Sequence, residues 1–223
     1  MATTKAYLYC AKAKPYLTKV VELGKYDCVS KKDMKTIGYE SERELKGASL
    51  NGTVCFKCEC KEAFKIEFCG TSIKHPAYFF PSIHAKEVMK RSCLTEKQFS
   101  DYGKGKDLFA LHFENVEAIE PMPITKLYKD EACTEPLTKA PQSWCYGYRK
   151  IFETVQLCHF DYDKEEFVNM KGDICHVSGD QERLYRIEKC MVLSIRSTWL
   201  CKIANGEKDL EVRKTCPKEI EKR

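Results

Sequence analysis

The chain has 223 residues, 43% hydrophobic and 11% aromatic, enough to bury a core and to exclude a disordered chain. Its 38 basic and 33 acidic side chains leave a formal charge of +5, which is compatible with nucleic acid without pointing to it. No apolar run approaches the ~18 residues of a membrane span, and the opening MATTKAYLYCAKAK has no long apolar stretch after its charges. Neither a membrane nor a secretory leader is expected, and the chain reads as cytoplasmic.

In chain order, residues 6–10 are short, apolar and aromatic, a strand signal followed by a basic turn ending at Pro15. Residues 24–49 are polar and weakly patterned and predict an excursion loop with little regular structure. Asn51-Gly52 is a turn signal, and residues 54–60 then alternate as a strand, with residues 65–69 as the expected hairpin partner. Residues 83–91 predict a short helix. Thr95 and Gln98 form a capping-box pattern, so a second helix is expected to reach Tyr102 and stop at Gly103. Residues 108–113 alternate again, with Phe109, Leu111 and Phe113 on one face and His112 on the other. A stretch interrupted by prolines runs from Pro121 to Pro141. Residues 149–188 are charged and mixed, broken at Gly172 and Gly179, and read as an added hairpin or ordered insertion. Near the end, residues 192–195 read as a buried strand, Ser197 as a helix N-cap, and Trp199, Leu200 and Ile203 as one helical face. Asn205-Gly206 is expected to end that helix through a left-handed residue. A strand follows with Leu210 and Val212 inward and Asp209, Glu211 and Arg213 on its other face.

Fourteen cysteines require an account. In a reducing compartment a disulfide framework is not expected. Cys55, Cys58, Cys60 and Cys69 give C-x2-C-x-C-x8-C, which reads as a zinc site or as core thiols. Strand parity favours the core: Val54, Phe56, Cys58 and Cys60 share a face and Cys55 points away, whereas zinc draws its C-x2-C from a knuckle turn. Buried thiols behave as small hydrophobes. The dipeptides Cys158-His159 and Cys175-His176 lack ligand spacing. No metal and no cofactor is expected.

Residues 199–213 read WLCKIANGEKDLEVR, and Gly206, Lys208, Glu211 and Arg213 occupy a G-x-K-x-x-E-x-R pattern at a helix-to-strand turn. This segment resembles the signature of ASCH domains, which are PUA-like β-barrels. Flanking residues 194–196 and 214–218 are similar to bacterial and phage ASCH-like proteins, as are residues 7–10, 50–54, 92–95 and 136–146. In that family the motif segment normally comes first; here it is last. The resemblance therefore implies an α+β fold, a PUA-like β-barrel with flanking short helices, circularly permuted and carrying an insertion. Residues 1–148 would form the main part of the barrel, 149–189 the insertion or bridging segment, and 190–223 the strand-helix-strand that completes it. Permutation is tolerated where termini are close and exposed; the alternative is a domain-swapped dimer, so the chain is expected to be a monomer or such a dimer.

Glu211 and Arg213 lie two apart on one strand face, and Lys208 precedes them at the turn. A carboxylate beside a guanidinium can bond the donor and acceptor edges of a nucleobase, and the guanidinium can hold a phosphate. Alone, the three residues read as an ion-pair cluster; the family resemblance turns the reading to a ligand site. Trp144 and Gln142 join as candidates, Trp144 either with Tyr146 as a stacking wall for a base or alone as a plug for the barrel. His112 reads as a pocket residue or as a bonded structural histidine. Some small ASCH relatives deacetylate N4-acetylcytidine with G-x-K-T-x-T-x-R, using the lysine, the second threonine and a distant glutamate. Here Glu211 stands at the threonine position, and a carboxylate does not inherit a hydroxyl's role in acyl transfer. Glu87 or Glu96 are the candidates for the distant acid. The expected function is a module binding a nucleobase, nucleotide or RNA; the alternatives are a hydrolase acting on a modified nucleoside and an interaction protein with a vestigial pocket.

Overall fold

The computed structural model describes residues 4–20, 24–70, 78–152, 158–177 and 184–222; Gly179 lies outside them. In chain order the strands are β1 (Thr4–Cys10), β2 (Tyr16–Val20), β3 (Lys25–Val29), β4 (Val54–Phe68), β5 (Tyr78–Phe79), β6 (Leu108–Met122), β7 (Trp144–Phe152), β8 (Cys158–Asp161), β9 (Glu166–Asn169), β10 (Ile174–Val177), β11 (Leu184–Ile195), β12 (Leu210–Arg213) and β13 (Glu221–Lys222). The helices are α1 (Glu42–Ala48), α2 (Ala85–Ser92), α3 (Glu96–Gly103) and α4 (Ser197–Ala204). Strand dominates and the helices are short, an α+β composition. No helix among the described residues is long and apolar enough to cross a membrane.

Residues 1–123, 140–145 and 191–223 form one compact unit, and residues 124–139 and 146–190 a second. In the first unit, β12, β6, β4 and β1 are antiparallel neighbours, and β1 pairs in parallel with residues 191–195 of β11. The ladder is open: among the described residues no strand pairing joins β12 back to β11. Side chains span that gap instead. Arg213, at the end of β12, donates from Nη2 to the Ser194 carbonyl of β11 at 2.8 Å.

Two apolar clusters flank β4 and β6 in this unit. One holds Leu8, Phe56, Cys58, Cys60, Leu111, Phe113, Leu193, Leu200 and Ile203; the other holds Phe64, Ile66, Val88, Phe99, Leu108, Leu210 and Val212. A single strand serves both because a bulge between Cys60 and Glu62 shifts the register. Even-numbered residues of β4 face the first cluster before the bulge and the second cluster after it, as an inserted residue requires. The expected hairpin is not formed: residues 54–60 and 65–68 are not partners but parts of one strand, Cys69 lies beyond its end, and β6 is the partner of both segments.

Other expectations are corrected by the same long-range packing. Residues 24–49, read as a loop, contain β3 and α1, because Tyr16, Val29 and Leu45 bury one another. Cys55 does not point away from the core; it is 1% exposed and belongs to the same cluster as Cys58 and Cys60. Burial pushes the Cys55 and Cys60 thiols up to about 12, which holds both protonated at neutral pH. Ser197 is not the N-cap of α4 but its first residue; Arg196 caps it, and the Ser197 hydroxyl donates to the Pro15 carbonyl at 2.6 Å. The Thr95–Gln98 capping box is present and α3 ends at Gly103.

In the second unit, β8, β9 and β10 form an antiparallel meander, and β10 pairs with the start of β11. Tyr128 and Tyr148 exchange both backbone hydrogen bonds, at 2.8 and 2.9 Å, which docks the 124–139 segment on β7.

Candidate binding site

The site begins with how α4 stops. Gly206 takes φ +74°, a left-handed conformation that other residues adopt only with strain. The backbone amides of Glu207 and Lys208 then close on the Lys202 carbonyl at 2.9 and 3.2 Å. Asn205 fastens the same turn to β3, its amide accepting from the Tyr26 N–H and donating to the Tyr26 carbonyl, both at 2.9 Å. On the far side Arg91 of α2 donates to both Asp209 oxygens, from Nε at 3.1 Å and Nη2 at 2.9 Å. The turn is therefore held on two sides before β12 begins. Leu210 and Val212 enter the second apolar cluster, and alternation places Glu211 and Arg213 on the opposite face.

Lys208, Glu211 and Arg213 are 3%, 7% and 8% exposed, and they form one chain of charges. Lys208 Nζ donates to the Ser92 carbonyl at 2.8 Å and the Leu210 carbonyl at 2.7 Å, and it lies 3.2 Å from Glu211 Oε2. The other Glu211 oxygen is 3.0 Å from Arg213 Nη2. An ammonium has three donors, and all three of Lys208 are engaged within the protein. It also sits 5.3 Å from the centroid of the Trp199 ring. The carboxylate and guanidinium keep capacity: Glu211 has further lone pairs, and Arg213 Nε is buried with no hydrogen-bond partner.

These residues wall a cavity of about 590 Å³, within the range of small-ligand sites. Its opposite wall is α3, where Gln98, Asp101 and Tyr102 recur at i, i+3 and i+4 and so share a helical face. Trp199, Arg196 and Gln142 complete the lining used here. Burial pushes the Tyr102 phenol up; the Arg213 charge pulls the other way.

Of the five residues the sequence singled out, Lys208, Glu211, Arg213 and Gln142 all line this cavity, and Trp144 does not. The Trp144 indole donates to Thr215 Oγ1 at 3.0 Å, and its ring lies against the first core cluster. The aromatic wall is Trp199, which helical periodicity had given to the core. His112 is also elsewhere. Its Nδ1 lies 3.7 Å from Glu62, and its Nε2 3.7 Å from Glu114 and 3.8 Å from Asp209. Glu87 pairs with Arg91 at 3.2 Å, and neither it nor Glu96 reaches the cavity lining. The signal for the missed wall was present in the spacing of residues 98, 101 and 102, but nothing in the sequence aimed that face at β12. Among the described residues no group of three or more His, Cys, Asp or Glu side chains is placed to hold a metal ion. No protein-family model, curated protein or solved structure matches this chain.

Proposed function

We propose that the first unit is a permuted PUA-like barrel of the ASCH kind, and that its cavity binds a nucleobase, a nucleotide or an RNA end. The observation that carries this reading is Arg213: a guanidinium 8% exposed, lining a cavity, with a buried Nε–H that meets no acceptor. A buried donor without a partner costs on the order of 1–3 kcal/mol, a penalty that a ligand acceptor removes. Beside it Glu211 keeps lone pairs for a ligand donor. A donor and an acceptor side by side match the polar edge of a nucleobase, and Trp199 or Tyr102 offers a ring for its face. The Arg213–Ser194 bond supports the barrel, since it ties the two edges that a closed ladder would join. The hydrolase alternative is weaker. A general base or acid needs Lys208 free to exchange a proton, and Lys208 is committed to Ser92, Leu210 and Glu211.

Calorimetric titration with nucleosides and nucleoside monophosphates tests the reading, on the wild type and on Arg213→Lys. The lysine keeps the charge and loses Nε. Loss of a charge-assisted bond of about 1.5–3 kcal/mol is expected to weaken binding by about 10- to 150-fold. Failure of every nucleotide to bind the wild type, or equal binding by the variant, overturns it.

A further inference from the structure

The second unit carries a different surface, and it does not rest on the reading of the cavity. Residues 146, 148, 150 and 152 of β7 alternate onto one face, as do 185, 187 and 189 of β11. Contacts confirm that the two sets share that face. Lys189 Nζ stands 4.4 Å from the centroid of the Tyr146 ring, and Lys150 Nζ 4.9 Å from that of Tyr185. Lys150 is also 5.5 Å from the Tyr128 ring, so it lies between two tyrosines rather than capping one. Phe152, half exposed, meets Tyr185 at 6.0 Å, and exposed His176 extends the row at 5.5 Å from the same ring.

The chemistry of this face is one-sided. Rings alternate with ammonium groups, and none of the β7 or β11 positions on it is acidic. Lys150 and Lys189 form no ion pair with a carboxylate among the described residues. The acids of β11 and its neighbours lie on the other face, where Arg186 is 3.5 Å from Glu188 and 3.7 Å from Asp173. Strands β7 and β11 thus sort their charges, pairing them on one side and leaving cations among aromatic rings on the other. An occupant must supply negative charge to the lysines and flat apolar surfaces to the rings, in alternation. A single nucleic-acid strand does both, its phosphates meeting the cations while its bases stack on the rings. The exposed His176 imidazole adds a hydrogen-bond partner for a ribose 2′-hydroxyl. We propose that this face of the second unit is a stacking platform for single-stranded RNA.

Fluorescence anisotropy with a labelled single-stranded RNA of about 12 nucleotides, on the full chain, tests it. Tyr185→Ala removes one stacking ring and is expected to weaken binding by about 5- to 150-fold, while Tyr185→Phe binds within about twofold of the wild type. The double variant Lys150→Gln/Lys189→Gln, at one half-buried and one exposed side chain, is expected to flatten the slope of log affinity against log salt by about 1.4. RNA is expected to bind at least as tightly as DNA of the same sequence, and saturating mononucleotide is expected to leave the oligonucleotide in place. The proposal is overturned by an unchanged salt slope in the double variant, by tighter binding of the DNA, or by displacement with mononucleotide, which would assign the RNA to the cavity. Light scattering that shows a dimer broken by Tyr185→Ala would make the face a contact between copies and overturn it as well.

Discussion

The two units hold their cations in opposite ways. In the first, Lys208 and Arg213 are buried, and each is answered inside the protein by Glu211 and by backbone carbonyls. In the second, Lys150 and Lys189 stand over tyrosine rings with no carboxylate partner. The difference follows from solvent. A charge removed from water must be compensated on the spot, whereas a charge at the surface is already solvated and can stay available. Burial consequently turns most of a charged motif into scaffolding, and only a leftover donor such as Arg213 Nε is available to a ligand.

If the first unit is built around its site, removing residues 190–223 should be the largest perturbation. Val192, Leu193, Leu200, Ile203 and Leu210 are at most 1% exposed. Each contributes about 1.5–3 kcal/mol by burial, together comparable to the ~5–15 kcal/mol of a whole domain. The truncated chain is expected to lose cooperative unfolding, read by circular dichroism on heating; a sharp melt would break the comparison at its base. Glu211→Gln comes next. It leaves Lys208 and Arg213 buried without their shared counter-charge, a change of about 3–5 kcal/mol. Both tryptophans, Trp144 and Trp199, belong to the first unit, so denaturant unfolding followed by tryptophan fluorescence reads the loss directly.

How much of this was visible in the sequence depends on the range of the interaction. The capping box of α3, the glycine that ends α4 and the shared face of Glu211 and Arg213 were legible, since each is decided within a few residues. The role of Lys208 was not, because one of its acceptors is Ser92, 116 residues away. Nor was the exchange of Trp144 for Trp199. Both are aromatic, near the motif and packed against the first core cluster, and only the long-range fold decides which ring lines the cavity. The β4 bulge after Cys60 defeated parity for residues 62–68, since one inserted residue inverts every later side chain, and a separate register shift between Val54 and Phe56 did the same for Cys55. Of the lysine–tyrosine face only Tyr146 was singled out, because its residues come from three separate segments, none of them unusual alone.

In the second unit the comparison predicts a smaller cost for charge removal. Lys150→Gln gives up two contacts to rings and no ion pair. Such cation–π contacts are worth about 0.5–1 kcal/mol each, so a stability loss of no more than about 2 kcal/mol is expected by thermal melting monitored at a far-ultraviolet wavelength. A loss as large as that of Glu211→Gln would mean that the face is structural, and the contrast between the units would fail.

The finest test separates pairing from burial within the first unit. Glu42, at the start of α1, has nearly the same partners as Glu211: two cations, Lys14 and Lys31, the latter at 3.1 Å, and the Tyr16 hydroxyl at 3.1 Å. Unlike Glu211, it is open to solvent, its side chain 31% exposed. The hydrogen bond from Lys14, then those from Lys31 and Tyr16, pull its carboxyl down to about 2. An unfolded glutamate titrates near about 4.3. With the folded value below the unfolded one, the stabilisation is fully present above the unfolded value and is lost as pH falls toward the folded one. The stability gap between wild type and Glu42→Gln should hence be constant above about pH 5, narrow below about pH 4.3 and close near pH 2. At neutral pH it should also be much smaller than the gap for Glu211→Gln, because screened pairs at a surface contribute little. Equal gaps for the two glutamates would show that pairing alone, and not burial, sets the cost of breaking the charge chain at the cavity.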